Sequence, residues 1–187
     1  MTDEAALWLV VGGDSTIGSA LVRQATAAGR RVIGTSRKWS EKSLRLDLAD
    51  DSRSWVLPER VGVAYLCAAV TSMDACRTSP GGTRWINVVQ TTALARLLAA
   101  RGARVVFLST NQVFDGSKPH RPANDPTCPR SEYGRQKADA EHAILDCGGS
   151  VIRFTKVMAE KNALFQSWAT TLRADRKSTR LNSSHRT

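Results

Sequence analysis

Short apolar runs alternate with longer helical patterns along most of the chain. Five runs have the length of strands and are rich in Val, Ile and Leu, which is typical of strands that are covered on both faces. They span residues 7–11, 31–35, 63–67, 104–109 and 150–154, and a weaker strand is predicted around residues 44–46. The pattern therefore predicts five central strands and one marginal strand.

Helical patterns separate these strands. Ile17, Leu21 and Ala25 fall on one face of a helix predicted over residues 17–28, and Gly29 follows it as a suitable C-terminal residue. Two further helices are predicted over residues 83–100 and 133–145, with glycines close behind each of them. Strand and helix thus alternate as in a parallel sheet with right-handed crossovers, and the expected fold is α/β with a doubly wound parallel sheet.

The length and composition fit one ordinary globular domain. A chain of 187 residues buries about 70% of the surface that it would expose when unfolded, so neither a disulfide nor a metal is needed to stabilise it. The four cysteines form no Cys-x-x-Cys pair, so we expect reduced thiols and no metal site. The apolar runs are shorter than the ~20 residues of a membrane span, and acids stand near the N-terminus where a signal peptide would carry bases. We therefore expect a cytoplasmic protein without a membrane partner.

The net charge of +10 is unevenly spread, because residues 176–187 hold four basic residues and no acid. A basic arm that binds nucleic acid is one interpretation of this segment. The segment has one large apolar residue, Leu181, and no helical or strand period, and it resembles translated adapter or vector sequence at the end of an incompletely assembled gene. We therefore predict a non-native or disordered tail and no nucleic-acid partner.

A glycine turn follows the first strand and leads directly into the first helix. Gly12 permits a tight turn there, and Gly18 lets the helix pack closely against the sheet. Ser15 occupies the position where a middle glycine is usual, and its hydroxyl can donate to a phosphate. Because the N–H groups at a helix N-terminus hold a pyrophosphate, a Rossmann-like dinucleotide site is predicted. Its binding residues are Gly12, Asp14, Ser15, Thr16, Ile17 and Gly18.

The end of the second strand bears on the choice of cofactor. Where an NAD-binding enzyme usually places an acid for the ribose hydroxyls, this chain has Arg37 and Lys38, which favour NADPH over NADH. A solvated basic turn is the alternative interpretation. Asp47, at the close of the weak strand, is a candidate acceptor for the adenine amino group or else a helix cap, and Leu48 beside it is also assigned to the cofactor site.

Tyr133 and Lys137 stand one helical turn apart, so the phenol and the ammonium group are expected on one helix face. At ~5 Å and an effective dielectric of ~20, their attraction is about 3 kcal/mol, enough to lower a tyrosine pKa from about 10 to about 8. Such a spacing is common by itself and usually marks an exposed pair. Here a preceding strand ends in Leu108, Ser109 and Thr110, and it would deliver a hydroxyl to the carboxyl edge of the sheet beside the cofactor.

Together these motifs resemble the extended short-chain dehydrogenase/reductase family, in particular its reductases that act on dTDP-4-dehydrorhamnose. The resemblance extends over nearly all of residues 5–174, and the Ser-Thr-x-x-Val-Phe-Asp-Gly run at residues 109–116 is its most specific part. The other matching segments are residues 67–71 with Asp74, Asn87 in the following helix, and residues 129–141 around Tyr133 and Lys137.

The resemblance implies the reduction of a nucleotide-linked 4-keto sugar, with NADPH as the hydride donor. Tyr133 would donate a proton to the ketone oxygen, and Thr110 would hydrogen-bond that oxygen. Lys137 would hold the nicotinamide ribose and keep the phenol acidic. The sugar nucleotide is thus the implied substrate, and a second copy of the chain, forming a homodimer, is a candidate partner.

The resemblance also assigns residues around this centre. Ala68 and Ala69 are small where the backbone passes beside the cofactor, and Asn87 is placed to brace the neighbouring strand. Two positions depart from the family. Ser15 replaces the middle glycine, which bears on cofactor affinity, and Asn111 replaces a common aspartate, which bears on substrate choice.

The resemblance further implies how the chain is organised. Residues 1–160 are predicted to form the NAD(P)-binding domain, residues 161–175 the beginning of a small C-terminal substrate lobe that is cut short, and residues 176–187 the tail. The chain as given is therefore expected to bind cofactor at best and not to turn over a sugar nucleotide. An epimerase or dehydratase of the same family is the nearest alternative, and a non-catalytic NADP-binding regulatory subunit is an alternative of another class.

Overall fold

A computed structural model describes residues 6–38, 41–157 and 163–173 of the chain. The chain divides into two compact units, residues 1–155 and residues 156–187. Within the described residues, the first unit contains a parallel sheet with its helices, and the second contains one helix. The predicted tail, residues 176–187, lies outside the described residues.

Six parallel strands form the sheet, in the order β3-β2-β1-β4-β5-β6. They are β1 (Trp8–Val11), β2 (Val32–Ser36), β3 (Leu44–Arg45), β4 (Val63–Leu66), β5 (Arg104–Thr110) and β6 (Ser150–Phe154). All six predicted strands are confirmed, including the weak one. The order changes direction between β1 and β4, and such a switch point leaves a crevice at the carboxyl ends of these two strands.

In the part of the chain that the structure describes, six α-helices connect or follow the strands. They are α1 (Thr16–Ala27), α2 (Met73–Thr78), α3 (Pro80–Arg84), α4 (Thr91–Ala100), α5 (Glu132–Asp146) and α6 (Ala163–Arg173). The helix predicted over residues 83–100 is not uniform, because a π-helical segment, Trp85–Gln90, lies between α3 and α4. Helix α2 was not predicted, since six residues are too short to display a helical period.

Local sequence fixes the ends of the helices that carry the site. Ser15 caps α1 and Ser131 caps α5, and in both cases the serine hydroxyl accepts from the N–H three residues later. Helix α1 ends before Gly29, whose φ of +70° is the left-handed conformation expected after a helix. These caps place the N-termini of both helices just beyond the carboxyl ends of β1 and β5.

The hydrophobic core lies around the central strands. Strand β1 contributes Leu9 and Val11, strand β4 contributes Ala64 and Leu66, and strand β5 contributes Phe107. Leucines of α4 and Ile144 of α5 pack into the same cluster. Because the central strands are buried, the groups that follow their last residues are held in fixed positions.

The described part of the chain has neither a membrane-spanning helix nor a cluster of metal ligands. No helix there has the length and apolar character needed to cross a bilayer. No group of His, Cys, Asp or Glu side chains there is arranged to hold a metal ion.

Candidate active site

The glycine turn packs against its neighbours too tightly for side chains. Gly12 has φ +79°, and a Cβ added to it would lie 2.9 Å from the backbone nitrogen of Ala68. A Cβ on Gly18 would collide with the carbonyl oxygen of Gly12. The Gly12 N–H donates to the Thr35 hydroxyl over 3.1 Å, which ties the turn to β2. The two glycines therefore bring β1, β4 and the start of α1 into direct contact, as their positions predicted.

Ser15 stabilises this turn from within. Its hydroxyl oxygen accepts from the Gly18 N–H over 3.1 Å, while its own hydrogen stays available for donation. The first N–H groups of a helix have no partner inside the helix, so those of Thr16 and Ile17 are oriented toward the crevice end of α1. The turn thus offers a set of donors to an anion without a middle glycine.

At the end of β2 the structure places the carboxylate of Asp14, a residue that the sequence assigned to the glycine turn and not to this strand end. The Ser36 hydroxyl donates to Asp14 Oδ2 over 2.9 Å and accepts from the Lys38 N–H over 3.1 Å. Arg37, between them in the chain, is exposed. Asp14 of the glycine turn therefore places a carboxylate beside the end of β2, where the sequence was expected to offer only basic side chains.

The two remaining residues assigned to the adenosine end have local roles. Asp47 Oδ1 accepts from the Ala49 N–H over 2.9 Å, and the Asp47 carbonyl accepts from the Trp55 indole over 3.0 Å. Leu48 is only 5% exposed and belongs to the hydrophobic core. Its side chain packs inside the protein, so any contact of Leu48 with a cofactor is restricted to its backbone.

The strand register brings the other assigned residues to one edge. Val11 of β1 is paired with Leu66 of β4, and Leu66 is paired with Phe107 of β5. The residues that follow these positions therefore emerge side by side at the carboxyl edge. They are Gly12 after β1, Cys67, Ala68 and Ala69 after β4, and Leu108, Ser109 and Thr110 at the end of β5.

Thr110 and Tyr133 come from adjacent segments at this edge. Thr110 is buried at the end of β5, and its hydroxyl accepts from the Gln112 N–H over 3.2 Å. A Cβ on Gly134 would collide with the carbonyl oxygen of Gln112, so the first turn of α5 packs directly on the turn after Thr110. This contact requires a glycine at position 134. The sequence signal for that requirement is the place of Gly134 in the Tyr-Gly-x-x-Lys run.

Lys137 is directed at β5. Its ammonium group donates to the Leu108 carbonyl over 2.7 Å and lies 3.8 Å from the centroid of the Phe107 ring. Burial lowers the pKa of Lys137 to about 7, although Glu141 and Cys67 both act to raise it. Lys137 therefore changes its charge in the neutral pH range.

The expected acidification of Tyr133 by Lys137 was wrong. Burial raises the pKa of Tyr133, and Cys76 nearby raises it further. The simple estimate failed because it treated both side chains as solvated charges, whereas burial disfavours the phenolate and the ammonium ion alike. Tyr133 is consequently a protonated phenol at neutral pH.

A buried network of amide side chains supports the helix that carries Tyr133. The sequence indicated one member, Asn87, and gave no sign of the other, Gln136. Asn87 accepts from the Val70 N–H over 2.8 Å and donates to the Val70 carbonyl over 3.0 Å, so it braces the segment after β4. It also donates to Gln136 Oε1 over 2.9 Å. Gln136 in turn donates to the Thr83 hydroxyl over 2.9 Å. Gln136 belongs to no recognisable sequence motif. Its part in the network is seen only from its burial and its hydrogen bonds in the structure.

A buried ion pair anchors the same helix to β6. Glu141 is fully buried and accepts from Arg153 at distances of 2.7–3.1 Å. Arg153 also donates to the Ala123 carbonyl over 2.9 Å, and its guanidinium lies 4.9 Å from the centroid of the Phe114 ring. The pair therefore connects α5, β6 and the loop after Thr110. Arg153 and Phe114 also border a cavity of about 750 Å³ beside Asn111.

The pKa of Lys137 predicts a specific effect of pH on folding. An unfolded lysine has a pKa of 10.5, so between about pH 7 and 10 the unfolded chain binds one more proton, and stability rises with pH. The variant Lys137→Met lacks this dependence. We expect it to be more stable than wild type at pH 6, by a margin that shrinks by about 2 kcal/mol between pH 7 and 9. Urea unfolding at several pH values measures the margin, and a constant offset across this range contradicts the prediction.

The chain is similar in sequence to one protein family and to several curated proteins. The chain matches the family model described as RmlD substrate binding domain over residues 7–184. The dTDP-4-dehydrorhamnose reductase of Mycobacterium tuberculosis (strain ATCC 25618 / H37Rv) is 31% identical over 144 residues, covering 73% of this chain and 45% of that protein. Methionine adenosyltransferase 2 subunit beta of Rattus norvegicus is 27% identical over 169 residues, covering 88% of this chain and 51% of that protein. The chain thus spans about half the length of these curated relatives.

Solved structures show the same fold. The crystal structure of dTDP-4-dehydrorhamnose reductase from Bacillus anthracis str. Ames in complex with NADP is similar with a TM-score of 0.77 at 19% identity. The similarity covers 92% of this chain and 61% of that one.

Proposed function

Because the chain belongs to the family described as RmlD substrate binding domain, we propose that it supplies the cofactor-binding and proton-donating part of a reductase. The reaction is hydride transfer from NADPH to the ketone carbon of a nucleotide-linked 4-keto sugar, with protonation of the ketone oxygen. The observation that carries the proposal is the arrangement of Thr110, Tyr133 and Lys137 beside the glycine turn, at the carboxyl edge of the sheet.

Each of the three side chains suits its role. Tyr133 is protonated at neutral pH. It lies in the first turn of α5, which packs against the turn after Thr110, so it is the donor of the proton. The Thr110 oxygen accepts from the Gln112 N–H, and its hydrogen makes only a long 3.5 Å contact with Asn111 Oδ1, which it would exchange for the ketone oxygen. Lys137 presents an ammonium group between Leu108 and Cys67, where it orients a ribose hydroxyl.

The cofactor suits the turn between β1 and α1. The close packing of Gly12 on Ala68 leaves the backbone free to approach a pyrophosphate, and the N-terminus of α1 offers its N–H groups. A bound nicotinamide ring supplies the hydride. The preference for NADPH rests on Arg37 and Lys38, whose positive charges favour a 2′-phosphate.

Titration and turnover test the proposal in two steps. NADPH fluorescence should show saturable binding to the wild-type chain. The variant Tyr133→Phe should bind NADPH with unchanged affinity. Because the chain as given is expected to bind cofactor without turning over a sugar nucleotide, turnover is measured after the C-terminal part of a dTDP-4-dehydrorhamnose reductase is fused to it. In that fusion, oxidation of NADPH by dTDP-4-dehydrorhamnose should fall about 10²-fold or more in Tyr133→Phe. Tyr65→Phe, on β4, is the matched control and should retain both properties. An unchanged rate in Tyr133→Phe contradicts the assigned proton donor, and absence of NADPH binding to wild type contradicts the proposal as a whole.

A cofactor-binding regulatory subunit is the second candidate, favoured by the similarity to methionine adenosyltransferase 2 subunit beta. It requires dinucleotide binding without reduction of a ketone. Size-exclusion chromatography of the chain mixed with a methionine adenosyltransferase catalytic subunit distinguishes the two. A stable complex, together with no NADPH oxidation in the presence of the sugar nucleotide, would favour this role.

A further inference from the structure

The carboxylate of Asp14 crosses from the glycine turn to the end of β2. Ser36 is buried. Its hydroxyl oxygen accepts from the Lys38 N–H, and it donates its only hydrogen to Asp14 Oδ2. This bond fixes the carboxylate beside the last residue of β2. Asp14 itself remains exposed to solvent and accessible to a ligand.

The carboxylate is not neutralised by the cations that follow β2. Among the ion pairs formed by the described residues, none includes Asp14, Arg37 or Lys38. One acidic and two basic residues thus belong to the same strand end without forming an ion pair with one another. Any group placed between them experiences both signs of charge.

This strand end is where parallel dinucleotide-binding sheets receive the adenosine ribose. A carboxylate at this position accepts from the ribose hydroxyls of NADH, and an arginine receives the 2′-phosphate of NADPH. The carboxylate usually comes from the end of β2 itself, whereas here it comes from the turn after β1 and is bonded to Ser36.

We infer that Asp14, held in place by Ser36, sets the selectivity of this chain between NADH and NADPH. The inference rests on the proposed function, since it requires a bound nicotinamide dinucleotide. Asp14 accepts from the 2′-hydroxyl of NADH and repels the doubly charged 2′-phosphate of NADPH, in opposition to Arg37. The chain therefore binds both cofactors, and its preference for NADPH is smaller than Arg37 and Lys38 alone would produce.

The variant Asp14→Asn tests this balance, because it keeps the shape and an acceptor for Ser36 but removes the charge. Removing a like charge about 5 Å from a dianion in a solvated site raises NADPH affinity by about tenfold. The loss of a charged acceptor lowers NADH affinity by about tenfold or more. The two effects multiply, so the ratio of the two dissociation constants should shift toward NADPH by about a hundredfold, and a shift of about tenfold is the smallest that the inference allows.

Three further variants make the measurement specific. Glu59→Gln removes the same charge from an exposed position before β4, at the opposite edge of the sheet, and should leave the ratio unchanged. Ser36→Ala frees the carboxylate and should shift the ratio in the same direction as Asp14→Asn, by a smaller factor. Arg37→Ser should shift the ratio toward NADH.

Calorimetric titration with NADPH and NADH separates the outcomes. A tenfold shift in Asp14→Asn but not in Glu59→Gln supports the inference. Binding of both cofactors to Asp14→Asn with the wild-type ratio, or an equal shift in Glu59→Gln, overturns it while leaving the proposed function intact. Failure of the wild-type chain to bind either dinucleotide overturns the proposed function and this inference with it.

Discussion

Replacing Gly18 by alanine is expected to abolish cofactor binding and to destabilise the fold. The added Cβ would collide with the Gly12 carbonyl oxygen and approach the Ser15 hydroxyl to 2.9 Å. Both neighbours belong to the turn itself, so the start of α1 must move away from β1. A methyl group forced into a tightly packed site costs about 3 kcal/mol, and displacement of a binding group by about 1 Å costs about 10²-fold in function.

The helix α3 offers a matched control for this substitution. Gly81 is also helical, but a Cβ added there meets nothing within 4 Å. Gly81→Ala should therefore leave NADPH affinity unchanged and unfold at the same or a slightly higher urea concentration. If Gly18→Ala bound NADPH as tightly as Gly81→Ala, the close approach of α1 to the glycine turn would not be a requirement of the site.

Replacing Arg153 by alanine is expected to remove a large part of the folding free energy. Glu141 would remain fully buried without its partner, and a buried unpaired carboxylate costs about 3–5 kcal/mol. The loop after Thr110 would also lose the bond to the Ala123 carbonyl. Urea unfolding followed by circular dichroism measures the loss.

Two comparisons separate the buried pair from ordinary surface charge. Arg135→Ala breaks a pair with Glu132 in which the arginine is 52% exposed, and should cost less than about 1 kcal/mol. The double variant Glu141→Met/Arg153→Leu removes both charges and should recover most of the stability lost in Arg153→Ala. A double variant as unstable as Arg153→Ala would show that packing of the arginine, rather than the unpaired carboxylate, determines the loss.

The sequence was informative wherever a structural requirement is local. The apolar runs identified every strand, because a strand covered on both faces needs consecutive apolar residues. Gly12 and Gly18 marked the turn, because a larger residue at either position would collide with backbone atoms. The division of one predicted helix into α3, a π-helical segment and α4 was not visible, since a widened turn changes the hydrogen bonds and barely alters the apolar period.

The side-chain contacts of the candidate site could not be predicted from the sequence. The spacing of Tyr133 and Lys137 placed both residues on α5, but it did not reveal that the ammonium group turns to the Leu108 carbonyl. Residues 35–38 at the end of β2 hold no acid, and nothing in the sequence indicated that Asp14 of the glycine turn, 22 positions away from Ser36, reaches this strand end. Glu141 and Arg153 each looked like an ordinary charged residue until β6 was placed beside α5.

The sequence by itself determined the strands, the main helices, the glycine turn and the identity of the three candidate catalytic side chains. Only the tertiary structure decided the protonation of Tyr133, the low pKa of Lys137 and the pairing of Asp14 with Ser36. The physical reason is that backbone conformation and apolar period depend on neighbours in the chain. Burial and the electrostatic field at a side chain depend on neighbours in space, which become known only when the strands are placed side by side.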